Sequence, residues 1–105
     1  MTDNNHNNTI VGFLYVIEGA RAGDIIKLYE GRNTIGTSDE CSIQFDDPEV
    51  SAKHASLRFE DDVYLLRDLD SKNGTYVNGE EVVNRELAEN EVIIIGGTKL
   101  KFKML

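Results

Sequence analysis

Ser51 and His54 stand three residues apart, and a hydroxyl near an imidazole is the beginning of a nucleophile–base pair. Acyl transfer also needs a group that orients the base and donors for an oxyanion, and the sequence marks neither. A histidine that opens a strand fixes a loop by bonding its ring nitrogens to nearby backbone, which is the reading adopted for His54. Asp68-x-Asp70 begins like a calcium loop, but Lys72 takes the fifth position, Gly79 the twelfth, and the turn glycine falls one place late at Gly74. A solvated acidic loop is the expectation there. The two histidines, His6 and His54, have no paired spacing for zinc, and the lone Cys41 excludes an intramolecular disulfide and a cysteine-rich metal site. No phosphate-binding glycine loop of the Walker type is present, so no cofactor is expected. Asn7-Asn8-Thr9 and Asn73-Gly74-Thr75 match the glycosylation sequon, and with no signal-peptide pattern at MTDNNHNNT both read as chance matches.

What remains is a polar loop of defined shape. Residues 68–79, DLDSKNGTYVNG, carry Asn73-Gly74 and Asn78-Gly79 on either side of Thr75-Tyr76-Val77. Asn-Gly takes positive φ at low cost, so each pair predicts a turn around a short strand. Asp68, Asp70, Ser71, Lys72 and Asn73 cluster before the first turn, and polar loops on a rigid scaffold are where binding residues concentrate.

The elements that must hold this loop are strands. The run Ile10–Ile17 is rich in β-branched and aromatic residues, and Ile25–Tyr29 and Asn33–Gly36 follow across glycine-containing turns. Ser42–Phe45 comes next, and Asp46-Asp47-Pro48-Glu49 must be loop because it holds the only proline. From His54 to Phe59, Ala55, Leu57 and Phe59 alternate with His54, Ser56 and Arg58. Val63–Leu69, Thr75–Val77, Glu81–Val83, Val92–Ile95 and Lys99–Lys103 complete the set, the last with Leu100 and Phe102 inward and its lysines outward. No segment sustains helical periodicity. Ten or so short strands with Gly, Asn and Asp turns predict an all-β antiparallel sandwich.

Residues 1–8 are expected to be a disordered polar tail and residues 9–105 one domain, with an apolar fraction of 40% sufficient for a core. No apolar run approaches a membrane span of roughly 20 residues. A soluble, cytoplasmic setting is the expectation. The formal charge of −8, from 11 basic and 19 acidic residues, opposes nucleic acid and anionic membranes as main partners.

Four pieces in fixed order resemble the forkhead-associated (FHA) domain: Thr34-Ile35-Gly36, Val50-Ser51-Ala52-Lys53-His54-Ala55, the stretch from Asp68 to Gly79, and the stretch from Leu87 to Gly96. The resemblance covers about residues 10–104. It implies a sandwich of about eleven strands whose loops at one end bind phosphothreonine peptides. It also implies that Ser51 donates to a phosphate oxygen, that Lys72 lies beside the phosphate and that Asn73 bonds the peptide main chain. Gly36, His54, Gly74 and Asn78 then hold the loops. Where the family has a phosphate-binding arginine after the first glycine, this sequence has Thr37, and where many members carry a polar or basic residue it has Ala52. Lys53 and Lys72 are the nearby cations that could compensate. The function implied is a non-enzymatic interaction module of Ser/Thr kinase signalling whose partner carries phosphothreonine. Thr37 and the acidic balance leave open a phosphate-independent interaction or assembly domain.

Overall fold

The computed structural model describes residues 9–105; the stretch 1–8, with the expected tail, His6 and the first sequon, lies outside the described residues. Eleven strands form two packed sheets. The first, in the order β2-β1-β11-β10-β7-β8, contains β1 (Ile10–Glu18), β2 (Ile25–Tyr29), β7 (Thr75–Val77), β8 (Glu80–Val82), β10 (Val92–Ile95) and β11 (Thr98–Met104). The second, in the order β4-β3-β5-β6-β9, contains β3 (Gly31–Gly36), β4 (Ile43–Gln44), β5 (Ala55–Glu60), β6 (Val63–Asp68) and β9 (Asn84–Glu86). The expected all-β sandwich is therefore present, and no helix among the described residues is long and apolar enough to cross a membrane.

Alternation determines which side chains meet between the sheets. Leu14, Leu28, Leu100, Phe102, Ile93 and Ile95 project from the first sheet, and Ile35, Ala55, Leu57 and Leu66 from the second, all with essentially no exposure. Tyr64 of β6 crosses the gap. Its hydroxyl donates to the Val11 carbonyl of β1 at 2.6 Å, and its ring packs between Phe59 and Phe102 at centroid separations of 4.6 and 4.9 Å. A buried phenol thus finds the acceptor it needs while contributing its ring to the core.

The structure departs from the sequence reading in three places. β4 shrinks to Ile43–Gln44 and runs parallel to β3, where an antiparallel partner was expected. The loop before it folds so that the Ser42 and Thr34 hydroxyl oxygens each accept the other residue's backbone N–H at 2.9 Å, which sets the two segments side by side in the same direction. β9, Asn84–Glu86, was not anticipated, since Asn-Arg-Glu has no apolar residue; it forms by pairing with the otherwise open edge of β6. The two Asn-Gly pairs also differ. Asn78 and Gly79 both have positive φ, 51° and 88°, as a two-residue hairpin between β7 and β8 requires, whereas in the first pair only Gly74 does, at 89°.

Asp47 ties a loop of one sheet to a turn of the other at the same end of the sandwich. Its carboxylate accepts from Glu49 N–H at 2.9 Å, Gly97 N–H at 3.0 Å and the buried Thr98 hydroxyl at 3.0 Å. The Glu49 bond is the largest influence holding this carboxyl below the usual carboxylate range, against burial and with help from Thr98 and Gly97. The loop between β4 and β5 is thereby tied to the β10–β11 turn. Asp47→Ala should lower stability by about 2–3 kcal/mol, because three donors lose a charged acceptor. The exposed neighbour Asp46→Ala should change stability by less than about 0.5 kcal/mol, and chemical denaturation of the two variants checks the contrast.

Candidate functional site

Three loops meet at one end of the sandwich: residues 37–42 after β3, residues 45–54 after β4, and residues 69–74 after β6. His54 ties the second to the third. It is fully buried, Ser51 N–H donates to its Nδ1 at 3.0 Å, and Nε2 lies 2.9 Å from the Gly74 carbonyl. Because Nδ1 accepts, the ring proton is assigned to Nε2, which donates to Gly74. The backbone of His54 is equally committed: its N–H donates to Ile35 O at 2.8 Å, and its carbonyl accepts from Leu69 N–H at 2.9 Å. No nucleophile–base pair results, since Nδ1 faces the Ser51 amide and not its hydroxyl.

The first loop is held against the second by close backbone approach. Thr37 N–H donates to Ser51 O and Ser38 N–H to Ala52 O, each at 3.1 Å. A Cβ on Gly36 would fall 2.1 Å from the Ala52 carbonyl oxygen, so only glycine lets these backbones meet. Thr37 is half-buried, and its carbonyl accepts from Gln44 Nε2 at 2.8 Å.

The third loop is shaped by Asp68. Its carboxylate accepts from the Ser71 hydroxyl at 2.6 Å, the Thr75 hydroxyl at 2.7 Å and Ser71 N–H at 3.1 Å, and the Ser71 oxygen accepts from Gly74 N–H at 2.9 Å. This corrects the expectation of a solvated acidic loop at Asp68. Burial raises the pKa of this carboxyl, but the Ser71 and Thr75 donors outweigh it and leave it below the usual range. The Asp-x-x-Ser spacing is a side-chain-to-backbone turn signature that could have revealed the network. Among the described residues no group of three His, Cys, Asp or Glu side chains could hold a metal ion.

Ser51, Lys72 and Asn73 are brought together by these loops. Lys72 N–H donates to Ser51 Oγ at 3.0 Å, which fills an acceptor position of that oxygen and leaves the hydroxyl proton with no acceptor among the described residues. Asn73 Nδ2 donates to Glu49 O at 2.9 Å, leaving Oδ1 and one N–H for a ligand. The Lys72 side chain is exposed and has no carboxylate within ion-pair distance among the described residues. Lys53 is not part of this group: its ammonium pairs with Glu40 at 3.4 Å, both well exposed. Asn78 lies farther along, its Oδ1 accepting from Val92 N–H at 3.0 Å.

An all-β sandwich with three interlocked loops at one end is the arrangement of a loop-borne recognition domain. The chain belongs to the FHA domain family, whose model matches residues 33–96, a span that includes all three loops. The FHA domain-containing protein FhaA of Mycobacterium tuberculosis is 36% identical over 83 residues, covering 79% of this chain and 16% of that protein. The glycogen accumulation regulator GarA of the same species is 36% identical over 89 residues, covering 85% of this chain and 55% of the regulator. The chain thus spans about half of GarA and a smaller share of FhaA. A domain solved in a structural and functional study of phosphothreonine-dependent FHA interactions superposes with a TM-score of 0.83 at 33% identity, covering 90% of this chain and 97% of that one.

The lowered pKa of Asp68 carries a sign. A folded-state value below the unfolded value of about 3.9 means that the native state binds fewer protons, so its contribution is complete above pH 4 or so and is lost as pH falls further. Asp68→Asn should therefore cost about 1–3 kcal/mol at neutral pH, and the difference from the parent should narrow as pH is lowered through the acid range. Denaturant titrations at a series of pH values measure this, and a penalty that stays constant into strong acid would refute it.

Proposed function

We propose that this FHA domain binds phosphothreonine-containing peptides at its loop end and so recruits a phosphorylated partner, a Ser/Thr kinase or its substrate, in the cytoplasm. The observation that carries the reading is the state of Ser51: its oxygen is engaged by Lys72 N–H, its proton has no acceptor among the described residues, and the adjoining loop carries the exposed Lys72 side chain and the half-free Asn73 amide. A phosphate brings about −1.5 to −2 charges and three acceptor oxygens, which suits converging hydroxyl, ammonium and amide donors. Ser51 and Lys72 take the phosphate, Asn73 the peptide main chain, and His54, Gly36, Gly74 and Asn78 maintain the loops. The module recruits and does not catalyse. The phosphothreonine dependence of the solved neighbour's interactions supports the same ligand class.

In this reading Thr37 occupies the position of the family's phosphate-binding arginine. A guanidinium makes two parallel charged bonds to phosphate, and a threonine hydroxyl makes one neutral bond. Loss of one charged hydrogen bond is worth about 1.5–3 kcal/mol, or on the order of 10- to 150-fold in affinity. Thr37 also favours a second reading, in which the domain keeps the scaffold and binds its partner without phosphate.

Calorimetry with a phosphothreonine peptide and its unphosphorylated match separates the two. The first reading expects binding of the phosphorylated form alone, a gain of about tenfold or more for Thr37→Arg, and loss of about tenfold for Ser51→Ala. Equal binding of both peptides, or of neither even after Thr37→Arg, would establish the second.

A further inference from the structure

Away from the loops, the outer face of the five-stranded sheet carries an unusual charge arrangement. Arg32 of β3 stands directly opposite Arg58 of β5, and Arg67 of β6 stands opposite Ser56, one row closer to the loop end. Arg32, Arg58 and Arg67 surround a cleft of about 330 Å³, with Ser56, Leu65 and Glu60 completing its wall. Like charges directly opposite on neighbouring strands are destabilising, and this chain has 19 acidic residues from which a complementary pair could have been drawn. The arrangement is one the fold tolerates, not one it needs.

The floor of the cleft adds a second and independent sign. Ser56 is 5% exposed although it lies on the outward face, and its hydroxyl has no hydrogen-bond partner among the described residues. A buried hydroxyl left without a partner is costly, and a ligand oxygen reaching into the cleft would satisfy it. The arginines are also free to exchange partners. Arg58 meets Glu60 at 3.3 Å with both side chains more than half exposed, a pair worth little in water. Arg67 spends only Nε, on Asn84 Oδ1 at 3.1 Å, and Arg32 has no ion-pair partner among the described residues.

The geometry points to a second binding surface on this face, one that takes an extended acidic segment of a protein partner through its carboxylates. Strands lie about 4.8 Å apart, so guanidiniums on three neighbouring strands spread over roughly 10 Å, wider than one phosphate and matched to acids recurring along an extended peptide. Glu60 already shows the pairing of a guanidinium with a carboxylate at this spot, and Leu65 offers an apolar contact between the charges. Glu86, opposite Leu65 on β9, limits the positive field at one side. The net charge of −8 dominates beyond a screening length of about 8 Å, so the surface selects a short acidic segment close to it and not a long polyanion such as nucleic acid.

The test uses the 105-residue chain and a tetraglutamate peptide blocked at both ends, with a tetraglutamine peptide as its neutral match. Amide and arginine side-chain NMR shifts should saturate at Ser56, Arg58 and Arg67 with the acidic peptide and stay unmoved with the neutral one. Arg58→Gln should weaken binding about tenfold, the loss of one charged contact, while Ser51→Ala, which removes the loop hydroxyl, should leave it as in the parent. Arg32→Gln should also weaken binding while leaving the melting temperature equal or higher, since it relieves the opposed pair. The inference is overturned if the two peptides bind alike, if Arg58→Gln has no effect, or if the shifts map to another face. Tighter binding of a phosphoserine tetrapeptide or of a single-stranded DNA oligomer at these residues would overturn the assignment of carboxylates as its ligand.

Discussion

The loop end of this domain depends on a buried imidazole whose two nitrogens are both committed, one to the Ser51 amide and the other to the Gly74 carbonyl. Each of those backbone groups would otherwise be a buried or half-buried polar atom in need of a partner, so the ring and the two loops stabilise one another. From this contact the order propagates outward. Ser51 presents its oxygen to Lys72 N–H, its carbonyl receives Thr37, and the neighbouring Ala52 carbonyl presses against Gly36. The Asp68 carboxylate performs the matching service within the third loop. Under the proposed function, a ligand arriving at Ser51 would meet donors already in place, with little conformational entropy left to lose on binding.

Charge is distributed in a way that the total conceals. A protein of net charge −8 keeps its cations in small groups, with Lys53 paired to Glu40 and Lys72 without an ion-pair partner among the described residues at the loops, and three arginines gathered on the outer face of one sheet. The residue after Gly36 is the uncharged Thr37, while guanidiniums face solvent across β3, β5 and β6. Screening confines each group's influence to its own neighbourhood. Two anionic features of a partner could thus be recognised separately on a surface that repels anions at long range.

Much of the framework was legible because β-structure writes itself locally. The alternation in Ala55–Phe59 and Leu100–Phe102, the turn chemistry of Asn78-Gly79 and the proline at Pro48 each follow from neighbouring residues alone. The ordered motifs around Gly36, Ser51, His54 and Asn73 also mark the loop end from sequence alone. β9 was invisible, because Asn84–Glu86 becomes a strand only through the open edge of β6. The role of Asp47 was hidden too, since Gly97 and Thr98, which it bonds, lie in a turn whose approach local sequence does not state.

The sequence by itself determined ten of the eleven strands, the sandwich class and the polar residues available for recognition, because these rest on periodicity, turn propensity and composition within a few residues. Tertiary structure alone decided which of those residues act together. Ser51 with Lys72, Asn73 with Glu49, and Arg32 with Arg58 are pairs separated by 21 to 26 positions in the chain. Contacts of that kind depend on strand register, and a shift of one residue would send every side chain on the strand to the opposite face.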